Sequence, residues 1–254
     1  MACMTAGFAS TSGSVLAAYV VMLRDKVPGI AGHLIACSVM SAPASLLISK
    51  LMLPELAAPP EAAAGAPAID AAPVRLDASP ADGLLDALTL GTLDGLRLAV
   101  NVGAMLIAFL AVSALANALL GGIGRALFHQ TLSLEQLFGW IFAPLAWLLG
   151  VSAQDVPKVA SLLGQKTVLN EFVAYTRLSE ALARDPAWIS ERSRIICSYA
   201  LCGFANFGSI GIQIGGYASL APERRIDFAN VAPRAMLAGL MATSLVSCIA
   251  GLLL

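Results

Sequence analysis

The sequence predicts an all-α, multi-pass membrane protein, and three observations carry that prediction. Its 254 residues are 58% hydrophobic and only 12% charged, about half the charged share of a soluble domain. The mean hydropathy is +0.81. Several apolar runs reach the roughly 20 residues that a helix needs to cross a bilayer. The formal net charge of −1 points to neither nucleic acid nor an anionic surface as a partner.

Cys3, Cys37, Cys197, Cys202 and Cys248 lie in apolar runs without paired spacing, so they read as small buried apolar residues. The two histidines, His33 and His129, are too far apart in sequence to suggest a zinc site. Met1 opens into a Gly/Ser-rich apolar segment without the basic start of a signal peptide. That abrupt opening predicts that the chain is the C-terminal portion of a longer protein.

The first apolar run, Met1 to Leu23, contains Thr5, Gly7, Ser10, Thr11, Ser12, Gly13 and Ser14. Such a cluster fits either a break in the span or hydroxyls bonding back onto helix carbonyls, and the pattern alone leans towards the second. Arg24, Asp25, Lys26 and Pro28 make a short loop before a second span, Ile30 to Leu53. His33 and Lys50 near its ends suit an interface. From Pro54 to about Leu84 the chain is rich in proline and alanine with scattered acids, which predicts a flexible hydrophilic linker. Leu84 to Arg97 has leucines at helical spacing around Asp86 and Asp94 and reads as a helix approaching the membrane surface. Leu98 to Ile123 is the third span, with Asn101, Ser113 and Asn117 as its polar positions.

Ser133 ahead of Leu134-Glu135-Gln136 predicts a capped helix start. The helix runs to about Gly150 with Trp140 and Trp147 on one stripe. That favours a helix lying in the membrane–water interface over another span. Asp155 to Arg184 has an apolar first half, Val156 to Leu163, then Gly164-Gln165-Lys166-Thr167, then Val168 to Tyr175. Neither half is long enough to span, which fits a re-entrant hairpin whose tip reaches into the membrane. Two surface helices flanking a loop explain the charges equally well. Glu171, with apolar residues on both sides, favours the hairpin, because an ionisable residue at membrane depth is a functional candidate by default.

Arg177 to Arg194 reads as a charged connection. The span that follows, Ile195 to Ala221, carries Gly203, Asn206, Gly208, Ser209 and Gly211 where a span should be most apolar. These residues fit a helix broken at mid-membrane around a binding site, or a small-residue packing motif. Pro222-Glu223-Arg224-Arg225 opens a loop to Pro233-Arg234, and Ala235 to Leu254 is the last span. Arg224, Arg225 and Arg234 place that loop in the cytoplasm and the C-terminus outside.

GQKTVLNEFVAYTRLS, YALCGFANFGSIGIQIGG and CIAGLLL resemble the C-terminal half of concentrative nucleoside transporters. MTAGFASTSGSVLAAY resembles that family's fourth span and HLIACSVMSAPASLLISKLMLPE its fifth. The similarity covers nearly the whole chain outside the linker. It implies a multi-pass protein of the inner or plasma membrane with two discontinuous spans, re-entrant hairpins and an interfacial helix. By the same token it implies a homotrimer in the lipid bilayer, each protomer pairing a scaffold with a mobile transport domain. Residues 1–53 would be the first two spans of the transport domain and 54–84 the linker. Residues 85–128 would be the membrane-approach helix and scaffold span, and 129–254 the interfacial helix, hairpin, broken span and last span.

The implied activity is inward nucleoside transport coupled to sodium, or in some members to protons. No other cofactor and no enzymatic chemistry are implied. Residue by residue, Glu171 matches a carboxylate that accepts hydrogen bonds from ribose hydroxyls, and Asn206 and Ser209 match further ribose contacts. Phe204 matches an aromatic beside the sugar, and Val15 falls where the first broken span contacts the base. Ser10 matches a hydroxyl ligand of sodium, and Thr11 would offer its backbone carbonyl. The chemistry agrees, because a carboxylate, an amide and a hydroxyl together supply the acceptors and donors that ribose hydroxyls need. The family's first hairpin, with its base-reading Gln-Thr-Glu motif, precedes the span that opens this chain and is missing from it. A truncated interaction subunit without transport of its own is therefore the alternative.

Overall fold

The computed structural model describes residues 1–54 and 83–254. The predicted linker falls almost entirely outside the described residues. Among those described, the regular structure is helical throughout, as expected for a chain that must satisfy its backbone inside a bilayer. Three stretches, Ala2–Leu23, Ile30–Met52 and Pro222–Leu253, are long and apolar enough to cross one.

The first run is two helices, α1 (Ala2–Ala9) and α2 (Gly13–Leu23). Between them Ser10 and Ser12 are extended, with ψ of 165° and 148°. The cluster is therefore a break, against the leaning of the sequence pattern. α3 (Ile30–Met52) runs unbroken through Pro43.

α4 spans Leu84–Phe128, 45 residues without interruption. The predicted surface helix and third span are thus one element, since no proline divides them and isolated glycines cost a helix only about 1 kcal/mol each. α5 (Leu134–Leu148) begins at the predicted capping box. The Ser133 hydroxyl accepts from Gln136 N, and Gln136 Oε1 accepts from Ser133 N, each at 3.2 Å. Trp140 and Trp147 are both exposed.

α6 (Val156–Val168) and α7 (Glu171–Arg184) form a helical hairpin. The polar stretch Gly164–Thr167 lies inside α6, and the chain reverses at Leu169–Asn170. The charged connection is shorter than predicted, because α8 already begins at Glu191 and runs to Leu201. Its successor α9 (Phe207–Leu220) starts after an irregular segment at Cys202–Asn206. The loop expected up to Pro233-Arg234 is also helix. After one 3₁₀ turn, Pro222–Arg224, α10 runs from Arg225 to Leu253 through Pro233. Membrane helices tolerate a proline where neighbours re-satisfy the freed groups.

α10 packs against α1, α3, α8 and α9, while α6 packs against α5, α7 and α8. Small residues allow these approaches. A Cβ on Gly239 would fall 2.4 Å from Phe8 Cβ. Ser247, buried in this core, donates across to Ile196 O at 2.9 Å. The result is a tight bundle in which both helix breaks lie side by side.

Candidate functional site

The two breaks touch. Thr11, buried between α1 and α2, accepts a hydrogen bond on its hydroxyl from Gly203 N at 2.9 Å. The same hydroxyl lies 3.2 Å from Cys202 Sγ. Gly203 has φ of +96°, and a Cβ there would fall 2.7 Å from Ala9 O and 2.9 Å from Thr243 Cγ2. Backbone this close to backbone, in a left-handed conformation, requires glycine. Three residues on, Asn206 closes the break by accepting from Ser209 N at 2.8 Å, which caps α9.

Glu171 is the first residue of α7, and Asn170 caps that helix by accepting from Val173 N at 2.9 Å. The carboxylate therefore sits at the positive end of the helix dipole, where negative charge is favoured. It is 4% exposed. Tyr19 donates its hydroxyl to Oε1 and Asn206 donates its amide to Oε2, each at 3.1 Å. A carboxylate offers about four acceptor positions, so acceptor capacity remains beyond these two bonds. Tyr19 is itself held by stacking on Tyr175, with ring centroids 4.1 Å apart.

Glu171 and Asn206, named from the sequence, are thus directly bonded, and Thr11 reaches the same break through Gly203. Ser209 is buried in the first turn of α9 and meets Asn206 through its backbone. Phe204 is half-buried inside the break, where its carbonyl accepts from Asn206 N at 2.9 Å. Val15 is half-buried on α2, one helical turn from Tyr19. Ser10 is half-buried at the C-terminal end of α1. The Thr11 hydroxyl is engaged with the neighbouring break. Oxygen donors at helix ends suit a hard monovalent cation. No group of three or more His, Cys, Asp or Glu side chains that could hold a metal occurs among the described residues.

Sequence reasoning missed Tyr19, the Thr11 hydroxyl and Lys166. Lys166 is fully buried and donates to Ala200 O at 2.9 Å and Cys202 O at 3.1 Å, at the end of α8. Its place in the polar stretch of the hairpin was the available signal. At the open end of the hairpin, Asp155 accepts from Ser190 N at 3.0 Å and from the Ser190 hydroxyl at 2.8 Å. Burial raises the pKa of this carboxyl, but the bonds from Ser190 and Ser193 and the charge of Lys158 outweigh it and hold the group below its usual value. A cavity of about 450 Å³ opens beside the hairpin between Lys158, Gln165, Arg177 and Trp188. None of the residues named for the site lines it.

Comparison with known proteins places these features in context. Residues 33–251 match the family described as "Na+ dependent nucleoside transporter C-terminus". The chain is 41% identical over 261 residues to sodium/nucleoside cotransporter 1 of Rattus norvegicus, covering 98% of the chain and 38% of that protein. It is 42% identical over 263 residues to solute carrier family 28 member 3 of Homo sapiens, covering 99% of the chain and 36% of that protein. An uncharacterized transporter of Haemophilus influenzae is 41% identical over 253 residues, covering 99% of the chain and 57% of its own length. Among solved structures, a variant of CNTnw in an intermediate 3 state superposes with a TM-score of 0.82 at 39% identity, covering 99% of the chain and 57% of that one. CNTnw in an inward-facing substrate-bound state gives 0.75 at 39% identity, covering 99% and 56%. The chain thus spans well under two thirds of each of these proteins.

Proposed function

We propose a function from one premise: the chain belongs to the Na+ dependent nucleoside transporter family, whose C-terminal region it matches. It is the C-terminal part of a cation-coupled symporter that imports nucleosides across the cell membrane. The coupling ion is sodium. The relatives with assigned names are cotransporters or solute carriers, which favours a transporter over an enzyme and over a silent interaction subunit.

The observation that carries this proposal is the bond from Asn206 Nδ2 to Glu171 Oε2 at 3.1 Å, which joins the hairpin tip to the break of the second discontinuous span. Glu171 accepts hydrogen bonds from ribose hydroxyls, with Asn206 and Ser209 as further sugar contacts. Phe204 packs beside the sugar, and Val15 meets the base. Such a site rejects analogues that lack the hydroxyls, because its own buried polar groups would then go unpaired. Ser10, by its hydroxyl, and Thr11, by its carbonyl, contribute to the sodium site. Hairpin and broken spans form the mobile transport domain, α4 belongs to the scaffold, and three protomers assemble.

Uptake of labelled uridine by the full-length protein that contains this chain tests the proposal, with sodium replaced by choline in a parallel arm. Uptake is expected with sodium and lost with choline. Undiminished uptake in choline would replace sodium by proton coupling, and no uptake in either arm would remove the transport function.

A further inference from the structure

The broken end of α8 is a place where helix-end carbonyls must find donors without water. The last carbonyls of a helix have no intrahelical partner, and at membrane depth leaving them unpaired is costly. Here other elements supply most of the donors. Ser198 O accepts from the Tyr175 hydroxyl at 2.6 Å, while Tyr199 O accepts from Cys202 N at 3.1 Å and lies 3.7 Å from Cys37 Sγ. Ala200 O and Cys202 O converge instead on one charged group, the Lys166 ammonium, at 2.9 and 3.1 Å.

A fully buried ammonium ordinarily needs a carboxylate to offset its desolvation. The Glu171 carboxylate acts on Lys166 through its charge, but no direct ion pair joins the two among those described, which are Arg24–Asp25, Arg177–Glu180 and Arg224–Asp227. Both of its hydrogen-bond acceptors are carbonyls, at the negative end of the α8 dipole. Convergent carbonyls at an interrupted helix are the chemistry of a monovalent cation site. The first break, at Ser10 and Thr11, carries no basic residue of its own, and it touches the second through the bond from Gly203 N to Thr11 Oγ1.

We propose that Lys166 is a resident cation. Its ammonium permanently holds, at the second helix break, the place that a coupling ion takes at the first, so only the first break is loaded from solution. Because the lysine comes from α6, the same contact ties the hairpin to α8, and the two move together. Lys166 is thus a positioning residue. The inference rests on the symporter function proposed above.

The test uses the full-length transporter in proteoliposomes under a sodium gradient, with the purified protein for thermal unfolding. Lys166→Ala is expected to lower uridine uptake roughly tenfold or more, since buried carbonyls lose their donor. Propylammonium, which supplies the missing atoms with their charge, is expected to restore part of the uptake and to raise the melting temperature of this variant but not of the parent. Propanol, of the same size and uncharged, is expected to do neither. Lys166→Met, which keeps the length of the side chain without its charge, is expected to show the same loss as Lys166→Ala.

Parental uptake by Lys166→Met overturns the proposal. So does a folded Lys166→Ala protein that propylammonium leaves unchanged in both readouts, or that propanol rescues equally well. If neither variant accumulates, expression in propylammonium must return Lys166→Ala to the membrane, and its continued absence overturns the proposal. Should the parent itself take up no uridine, the symporter function is what fails. The melting-temperature arm then still decides the role of Lys166.

Discussion

Glu171 owes its position to two kinds of support, the N-terminus of α7 behind it and the donors of Tyr19 and Asn206 in front. In Glu171→Gln the amide oxygen can still accept from Asn206, and the amide nitrogen can still donate to the Tyr19 hydroxyl. The fold is therefore expected to hold while one acceptor oxygen disappears. Hydrogen bonds to a charged acceptor contribute about 1.5–3 kcal/mol, so uridine uptake should fall roughly 10- to 100-fold with the melting temperature little changed. Uptake at the parental level would remove Glu171 from the sugar contacts. A carboxylate surrounded by apolar residues can be read from sequence, because the cost of placing it there needs a reason. Tyr19 could not be read in this way. A tyrosine in an apolar span looks like packing until its partner, 152 residues away, is known.

At the scale of elements, the break between α8 and α9 depends on Gly203. A methyl group there meets Ala9 O at 2.7 Å and must also accept φ of +96°. Gly203→Ala is expected to cost about 1–3 kcal/mol, seen as a melting temperature lower by several degrees and as reduced uptake in the full-length protein. An unchanged melting temperature would mean that the two breaks can separate without penalty. Which elements could be read from sequence followed from how local their signals are. The Ser133 capping box needs only four consecutive residues, and it appears as predicted. The break at Ser10–Ser12 does not have a local signal of that kind. Serines and threonines in a span fit back-bonding equally well, and what decides is whether a neighbour offers a partner, as Gly203 does to Thr11. Pro233 misled in the opposite direction, because a proline beside an arginine resembles a loop until α10 is seen to continue through it.

At the scale of the whole molecule, α4 stands apart. At about 1.5 Å per residue its length is roughly 67 Å, more than the full thickness of a bilayer, about 40–45 Å with its headgroups. It contacts α5 and α9 and leaves Val100, Ile107, Val112, Leu115, Leu119 and Ile123 exposed. A long exposed apolar surface of this kind suits lipid or another protein surface. The full-length protein is accordingly expected to appear at three times its protomer mass in native mass spectrometry from detergent. A monomer under those conditions would contradict the trimer.

The sequence by itself determined the membrane class, the apolar runs and the two arms of the hairpin, and it singled out Glu171 as a candidate. Each of these follows from hydropathy, helical period or the cost of a buried charge, and all of them are properties of neighbouring residues. Only the tertiary structure decided that the chain reverses at Leu169–Asn170, that Tyr19 and Asn206 share one carboxylate, and that Lys166 closes the end of α8. Those contacts depend on how helices pack, and packing brings together groups that no local pattern in the chain relates. The two helix breaks show both sides of this division. Their glycines and polar residues were visible from the start, but their meeting at Thr11 and Gly203 appears only once α1 and α8 both pack against α10.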